Sequence, residues 1–163
     1  MMIPTSAAPE IRRPSLADVE AVLDMEADPE VMRYSTGVIV PTPARRQTLA
    51  SYFDAPPPDP LGHWIICAGD DVAGWVSLTE LDHTGRVQLA YRLQRKRWGQ
   101  GLATAAAQWA CAHATHAGLQ ALVAVVWPGN DASRRVLEKS GFHFEAVSRH
   151  YDRDTLLYTR SLR

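Results

Sequence analysis

Two glycines one residue apart, Gly99 and Gly101, lie between four cationic side chains (Arg92, Arg95, Lys96 and Arg97) and an alanine-rich run that begins at Leu102. Residue types in that order suit a phosphate. Glycine removes side-chain bulk, so a ligand can reach the backbone N–H groups. A helix starting behind them adds unpaired amide donors and the positive end of its dipole. Ala103 keeps the approach clear, and Thr104 adds a hydroxyl. The segment is not a P-loop, because no Gly-Lys-Ser/Thr follows. It is not a dinucleotide fingerprint either, since the third glycine is missing and no acidic residue ends a strand about 20 positions on. A phosphate-bearing cofactor of another kind fits better. Taken alone, the segment reads equally well as a strand-to-helix turn with solvated basic residues.

A second block, WPGNDASRRVLEKSGF at residues 127–142, sets Asn130, Ser133 and Leu137 at spacings of three and four, on one face of a helix. With both blocks present, the chain resembles the GNAT acetyltransferases, and within them the RimJ/RimL-type ribosomal-protein N-acetyltransferases. The acetyl-CoA loop of that superfamily reads Gln/Arg-x-x-Gly-x-Gly/Ala, and this chain has Trp98-x-x-Gly101-x-Ala103. Tryptophan in place of Gln or Arg is similar to the RimJ/RimL branch. The second block resembles the family's Asn-x-x-Ser…Glu-Lys-x-Gly-Phe signature through Asn130, Ser133, Glu138, Lys139, Gly141 and Phe142. The opening run from Ile11 to Tyr34 is similar to that branch too, so the resemblance covers nearly the whole chain.

The resemblance implies an α+β fold, with a six- to seven-stranded mixed and largely antiparallel sheet, flanking helices, and a splayed parallel strand pair that admits CoA. It implies acetyl-CoA as co-substrate. The pantetheine arm would run past the backbone of Tyr91, Arg92 and Leu93. The pyrophosphate would meet Arg97, Trp98, Gly99, Gln100, Gly101, Leu102, Ala103 and Thr104, while Asn130 and Ser133 face the cofactor from the last helix. The acceptor would be a primary amine, on a protein N-terminus or a small molecule, attacking directly in a ternary complex. No metal takes part, and the protein would be a monomer or homodimer.

Transfer from a thioester to an amine needs a neutral amine, donors for the tetrahedral oxyanion, and a proton or hydrogen bond for the leaving thiolate. Many relatives place a tyrosine in the last helix for the third task, but here that position is Leu137. Ser133 takes the role by resemblance. The base is harder to find, because Gln88 and Ala105 stand where relatives often carry glutamate. The remaining candidates are Glu80, Asp82 and His83 near the end of one strand and His150 near the last turn, with Glu80 the first choice. An α-amine, with a pKa near 8, needs less help than a lysine side chain at about 10.4. A site short of carboxylates therefore suits an α-amino acceptor. The same substitutions support an alternative, a non-catalytic acyl-CoA-binding module, and a purely structural domain whose glycine loop binds nothing is a further rival.

The elements needed to position these groups are legible. Residues 10–163 make one domain after a loose arm over residues 1–9. The order is strand, helices, three strands, helix, strand, helix and two strands. The helices are expected at about 16–25, 42–53, 102–116 and 131–139, with a short helical turn after Asp28-Pro29. The strands are expected at 10–13, 63–68, 72–81, 86–93 and 121–126, with two more between 142 and 162. The net charge of −1 over 163 residues gives no global pull toward nucleic acid or an anionic membrane. No apolar run approaches a membrane span, and the first ten residues lack the features of a signal peptide. Cys67 and Cys111 read as buried free thiols, and Cys111 with His113 and His116 follows no zinc spacing. Together these point to a cytoplasmic protein.

Overall fold

The computed structural model describes residues 8–163. The expectation for residues 1–9 lies, apart from Ala8 and Pro9, outside that range. Strand β1 (Ile11–Arg12) leads into a single 3-10 turn at Leu16–Asp18 and then helix α1 (Val19–Ala27). Asp18 sets this entry. Its Oδ2 accepts from the Ser15 backbone N–H at 2.7 Å, and its two oxygens receive Arg12 at 2.8 and 2.9 Å. The carboxylate thus caps the helix start and ties it to the sheet. Helix α2 (Pro43–Asp54) opens with Thr42 accepting from the Arg45 N–H at 3.1 Å, one residue before a proline that needs no donor. Helices α1 and α2 bury Val22, Leu23, Met25, Leu49 and Phe53 against Ile65, Cys67 and Trp75 on one face of the sheet.

The sheet has the order β1-β2-β3-β4-β5-β7-β6. Strands β2 (Gly62–Ala68), β3 (Asp71–Glu80) and β4 (Val87–Leu93) form an antiparallel meander. Gly74 is required there, since a Cβ on it would lie 2.0 Å from the Arg92 carbonyl oxygen. Helix α3 (Leu102–His116) then crosses over to β5 (Ala121–Val126), which runs parallel to β4. The contact face of α3 consists of Ala106, Ala107, Ala110, Cys111 and Ala114, small enough for the helix to lie close on Trp64, Val76, Leu78, Leu89 and Leu122. Helix α4 (Asp131–Lys139) follows, and β6 (His143–His150) and β7 (Arg153–Ser161) close the sheet as a hairpin. Strand β7 inserts between β5 and β6, which places the hairpin beside the central strands.

The bounds of α3, β5 and α4 match the sequence expectation to the residue. Gly141 ends α4 in a left-handed conformation, and Phe142 folds back so that its N–H reaches the Leu137 carbonyl at 2.9 Å. One expectation needs correction. The continuous apolar run at 121–126 reads as a strand buried on both faces, but Ala121 is exposed and Val125 half-buried. The stretch after Asp28-Pro29 makes the expected single helical turn, with the Met32 N–H on the Asp28 carbonyl, followed by a tighter turn with the Ser35 N–H on Met32, each at 3.1 Å. The chain turns there to cross the sheet, and Tyr34 comes within 3.9 Å of where a Cβ on Gly129 would stand.

Candidate active site

Strands β4 and β5 meet at one pair, Gln88 opposite Val123, and then diverge. A fork of this kind leaves backbone groups unpaired along its inner edges. The Gln94 N–H bonds to Ala73 at 2.8 Å, toward β3. Peptide groups alternate along a strand, so Arg92 also faces β3, while Tyr91 and Leu93 face the gap. The Leu93 carbonyl is already taken by the Trp98 indole N–H at 3.1 Å. Tyr91 is left as the residue with both N–H and C=O on the open edge. The three backbone positions expected to hold pantetheine are therefore not equivalent.

The loop beyond β4 begins with one 3-10 turn at Arg95–Arg97. Gly99 and Gly101 follow at φ +74° and +77°, a region closed to most side chains, and a Cβ on either would meet no atom within 4 Å. Gly101 is the N-cap of α3, and no side chain caps the helix. Its first amides are thus left without a side-chain partner, beside open space. The surrounding cations contribute less than their number suggests. Arg97 bonds to Asp71 at 2.8 Å, Arg95 pairs with Asp28, and Arg92 turns to the opposite face of the sheet, where it meets Ser35 at 3.0 Å and lies 3.9 Å from Glu26. Any grip on phosphate rests mainly on the amides and the helix end. Arg97 Nε is a buried donor with no partner. Two left-handed glycines in open space, free helix amides and an orphaned donor together fit an anionic, phosphate-bearing ligand.

Ser133, in the first turn of α4, does not bond to its own helix through its hydroxyl. Its Oγ lies 2.8 Å from the Tyr91 hydroxyl, joining the last helix to the fork. Burial raises the Tyr91 pKa to about 12, opposed by the hydrogen bond from Ser133. Tyr91 therefore stays protonated at neutral pH. Asn130 is an N-cap, with Oδ1 accepting from the Ser133 N–H at 3.3 Å. Leu137, where many relatives have tyrosine, packs in the core beside Phe142. The Tyr91 side chain as a partner of Ser133 was missed at the sequence level. The signal was present in the alternation of Leu89, Tyr91 and Leu93, all three of which face α3.

The opposite face of β4 carries Gln88, Ala90 and Arg92, with Ala90 exposed between the other two. Three contacts ring this face: Tyr34 against Gly129, Arg153 with its guanidinium 3.3 Å from the Trp127 ring centroid, and Tyr151 on Gln88 at 2.8 Å. Of the base candidates, Glu80 is exposed at the end of β3 and His83 is exposed in the turn beyond it. His150 is buried, with Nε2 2.7 Å from the Ser148 hydroxyl and Nδ1 4.0 Å from Asp82. Glu80 touches Gln88 through its backbone carbonyl rather than its carboxylate. Among the described residues, no cluster of three or more His, Cys, Asp or Glu could hold a metal ion, and no helix is long and apolar enough to cross a membrane.

The model of the acetyltransferase (GNAT) domain matches residues 10–143. The chain belongs to this family, a class of acetyl-CoA-dependent N-acetyltransferases. It is similar to the uncharacterized N-acetyltransferase p20 of Bacillus licheniformis, at 27% identity over 150 residues, covering 88% of this chain and 83% of that one. It is also similar to the probable N-acetyltransferase YjcK of Bacillus subtilis, at 35% over 111 residues, covering 64% and 61%. With YkkB of Bacillus subtilis it shares 31% over 83 residues, and there the match spans 50% of this chain and 48% of its relative. Among solved structures, the fold is shared with a GNAT-family acetyltransferase from Bacillus anthracis, with a TM-score of 0.78, 22% identity and 99% coverage of both chains. It is also shared with spermidine N-acetyltransferase from Vibrio cholerae in complex with CoA and spermine, with a TM-score of 0.79, 15% identity and 95% and 96% coverage.

Proposed function

We propose that residues 10–163 act as one catalytic domain of the RimJ/RimL type, transferring acetyl from acetyl-CoA to a primary amine with α-amino character, on a peptide N-terminus or a small molecule. The observation that carries this reading is the Tyr91–Ser133 hydroxyl pair at the open edge of the β4–β5 fork. A thioester lying along that edge would have its sulfur near Ser133. The Ser133 hydroxyl donates to the departing thiolate. Tyr91, protonated at neutral pH, donates in turn to Ser133 and holds its proton toward the sulfur. The Tyr91 peptide N–H supplies a donor on the gap side, and the bulk of the rate comes from holding amine and thioester together. On the acceptor face Gln88 stands where a carboxylate base is common, and it cannot accept a proton. The amine must therefore arrive partly neutral, with water carrying its proton away.

Two measurements test this. Calorimetric titration with acetyl-CoA is expected to give one site per chain, and no binding would reduce the glycine loop to a structural turn. Turnover is then measured across primary amines of graded pKa. The pH profile of kcat/KM is expected to follow each acceptor's own ionisation, so an α-amine near pKa 8 outperforms a lysine-like amine near 10.4 by about two orders at neutral pH. A constant enzyme pKa near 6–7 across the series would reveal a protein base and make Glu80, His83 and His150 the residues to replace. Binding without turnover on any amine would favour the acyl-CoA-binding module.

A further inference from the structure

The β6–β7 hairpin turns through Tyr151 and Asp152, both left-handed at φ +54° and +62°. Two consecutive residues of this kind between paired strands make a tight turn whose twist matches the hairpin. Asp152 is of a type that tolerates this region, but Tyr151 is bulky and is held in a conformation its side chain disfavours. The result is a particular placement of the Tyr151 hydroxyl. It accepts from the Gln88 side-chain nitrogen at 2.8 Å and from the Asp82 backbone N–H at 3.1 Å. The Gln88 orientation follows from the same nitrogen facing the Glu80 carbonyl at 3.4 Å, an atom that can only accept.

A phenol oxygen has two lone pairs, and both are used here. Its one remaining capacity is to donate the O–H proton. Tyr151 is 56% exposed, and its partner Gln88 lies at the fork on the face away from α3. A molecule entering that face meets a fixed donor. Three carboxylates on this side already have a partner, while Glu80 and Asp152 stay exposed. Glu26 is held by Arg45 at 2.5 and 2.9 Å, Asp28 by Arg95, and Asp82 faces His150.

From this arrangement we infer that Tyr151 is a specificity residue on the acceptor side: its O–H selects amines that carry an oxygen acceptor next to the nitrogen, the carbonyl of an amino-acid derivative or a peptide N-terminus, over amines that lack one. This rests on the transferase reading above and narrows its acceptor class. The hydroxyl is reachable by water, so a mismatched amine leaves it solvated rather than orphaned, and the selectivity is modest.

The test compares glycinamide with propargylamine, primary amines of similar basicity of which only the first carries a carbonyl, on the parent and Tyr151→Phe. This variant keeps the ring and the turn. The parent is expected to favour glycinamide by about fivefold in kcat/KM, the worth of one exposed hydrogen bond. Tyr151→Phe is expected to erase that preference, mainly through a raised KM for glycinamide, while the acetyl-CoA Kd stays unchanged; the bonds lost from Gln88 and the Asp82 N–H lower the melting temperature slightly. An unchanged ratio in the variant, or an equal fall for both amines, overturns the selectivity and leaves the transferase in place. A parent that binds acetyl-CoA yet acetylates neither amine overturns both.

Discussion

The two sides of the β4–β5 fork are built in different ways. The side facing α3 is nearly contiguous in sequence: Tyr91 and Leu93 on one strand, Gly99 to Thr104 on the loop and first turn, and Ser133 arriving from α4. Most of what it offers a ligand is backbone, namely edge peptides, left-handed glycines and helix amides. The other side is assembled from the 33–38 crossing, Gln88, Trp127, Tyr151 and Arg153, and what it offers is side chains. The contrast follows from the ligands. A pyrophosphate needs amides at set spacings, which a short stretch of sequence can encode. On the proposed function, an acceptor amine would meet groups that converge only because of strand order. Residue 151 reaches residue 88 because the hairpin stands beside β5.

That contrast is broken most sharply at Gly101. A glutamate there must adopt φ +77° and puts negative charge into the open space at the start of α3. Gly101→Glu is expected to weaken acetyl-CoA binding by about a hundredfold or more, read by calorimetry. Gly101→Ala separates the two causes, since it carries the backbone strain without the charge. It is expected to lower stability by about 1 kcal/mol and weaken binding far less. Equal affinity for Gly101→Glu and the parent would show that phosphate lies elsewhere.

Ser133 is where a side chain enters the backbone-built side. Ser133→Ala is expected to lower kcat by about ten- to a hundredfold, with the acetyl-CoA KM little changed. Tyr91→Phe is expected to cost less, because it removes a supporting donor and leaves the Ser133 hydroxyl in place. If Tyr91→Phe proves the more damaging, the tyrosine itself meets the sulfur and the order of the pair is reversed. Unchanged kcat in both variants, with chemistry rate-limiting, would leave the pair as a structural clasp between α4 and β4.

The sequence revealed the first side far more fully than the second, and particular residues show why. The periodicity of α3 and the Asn130 and Gly141 ends of α4 are local signals, and their bounds match. The partners of the basic cluster were hidden because charge is visible in a sequence but pairing is not. Nothing near Arg95 or Arg97 announces Asp28 or Asp71, from 26 to 67 positions away. Tyr151 was hidden for the same reason, and also by its backbone, since propensity puts glycine or asparagine in that turn and the chain does not. Glu80 shows what residue type alone leaves open: it lies at the expected strand end, its carboxylate is exposed, and its contact with Gln88 is through the backbone.

The smallest expected effect concerns His63, and it sharpens the comparison by giving only the side-chain-built face a pH response. His63 lies beneath α2, with Nδ1 2.8 Å from the Tyr52 hydroxyl and its ring centroid 4.3 Å from that of Trp75. Burial first, then the charges of Arg92 and Arg45, lower its pKa to about 4. In the unfolded chain it titrates near 6.5. Below that value the unfolded state binds a proton that the folded state refuses. Stability from this residue is therefore complete above about pH 6.5, falls as the pH drops, and is lost by about pH 4. Between pH 7 and pH 5 the loss is expected to be about 1–2 kcal/mol, allowing for partial exposure. His63→Gln keeps a polar partner for Tyr52 and removes the titration, so its urea midpoint is expected to change much less over the same interval. Asp18 loses its pairing with Arg12 only at more acid pH, because its pKa is already below the ordinary carboxylate value. Acetyl-CoA affinity is expected to be the same for parent and variant at both pH values. Parallel stability losses in the two proteins would show that another group carries the acid sensitivity of this face.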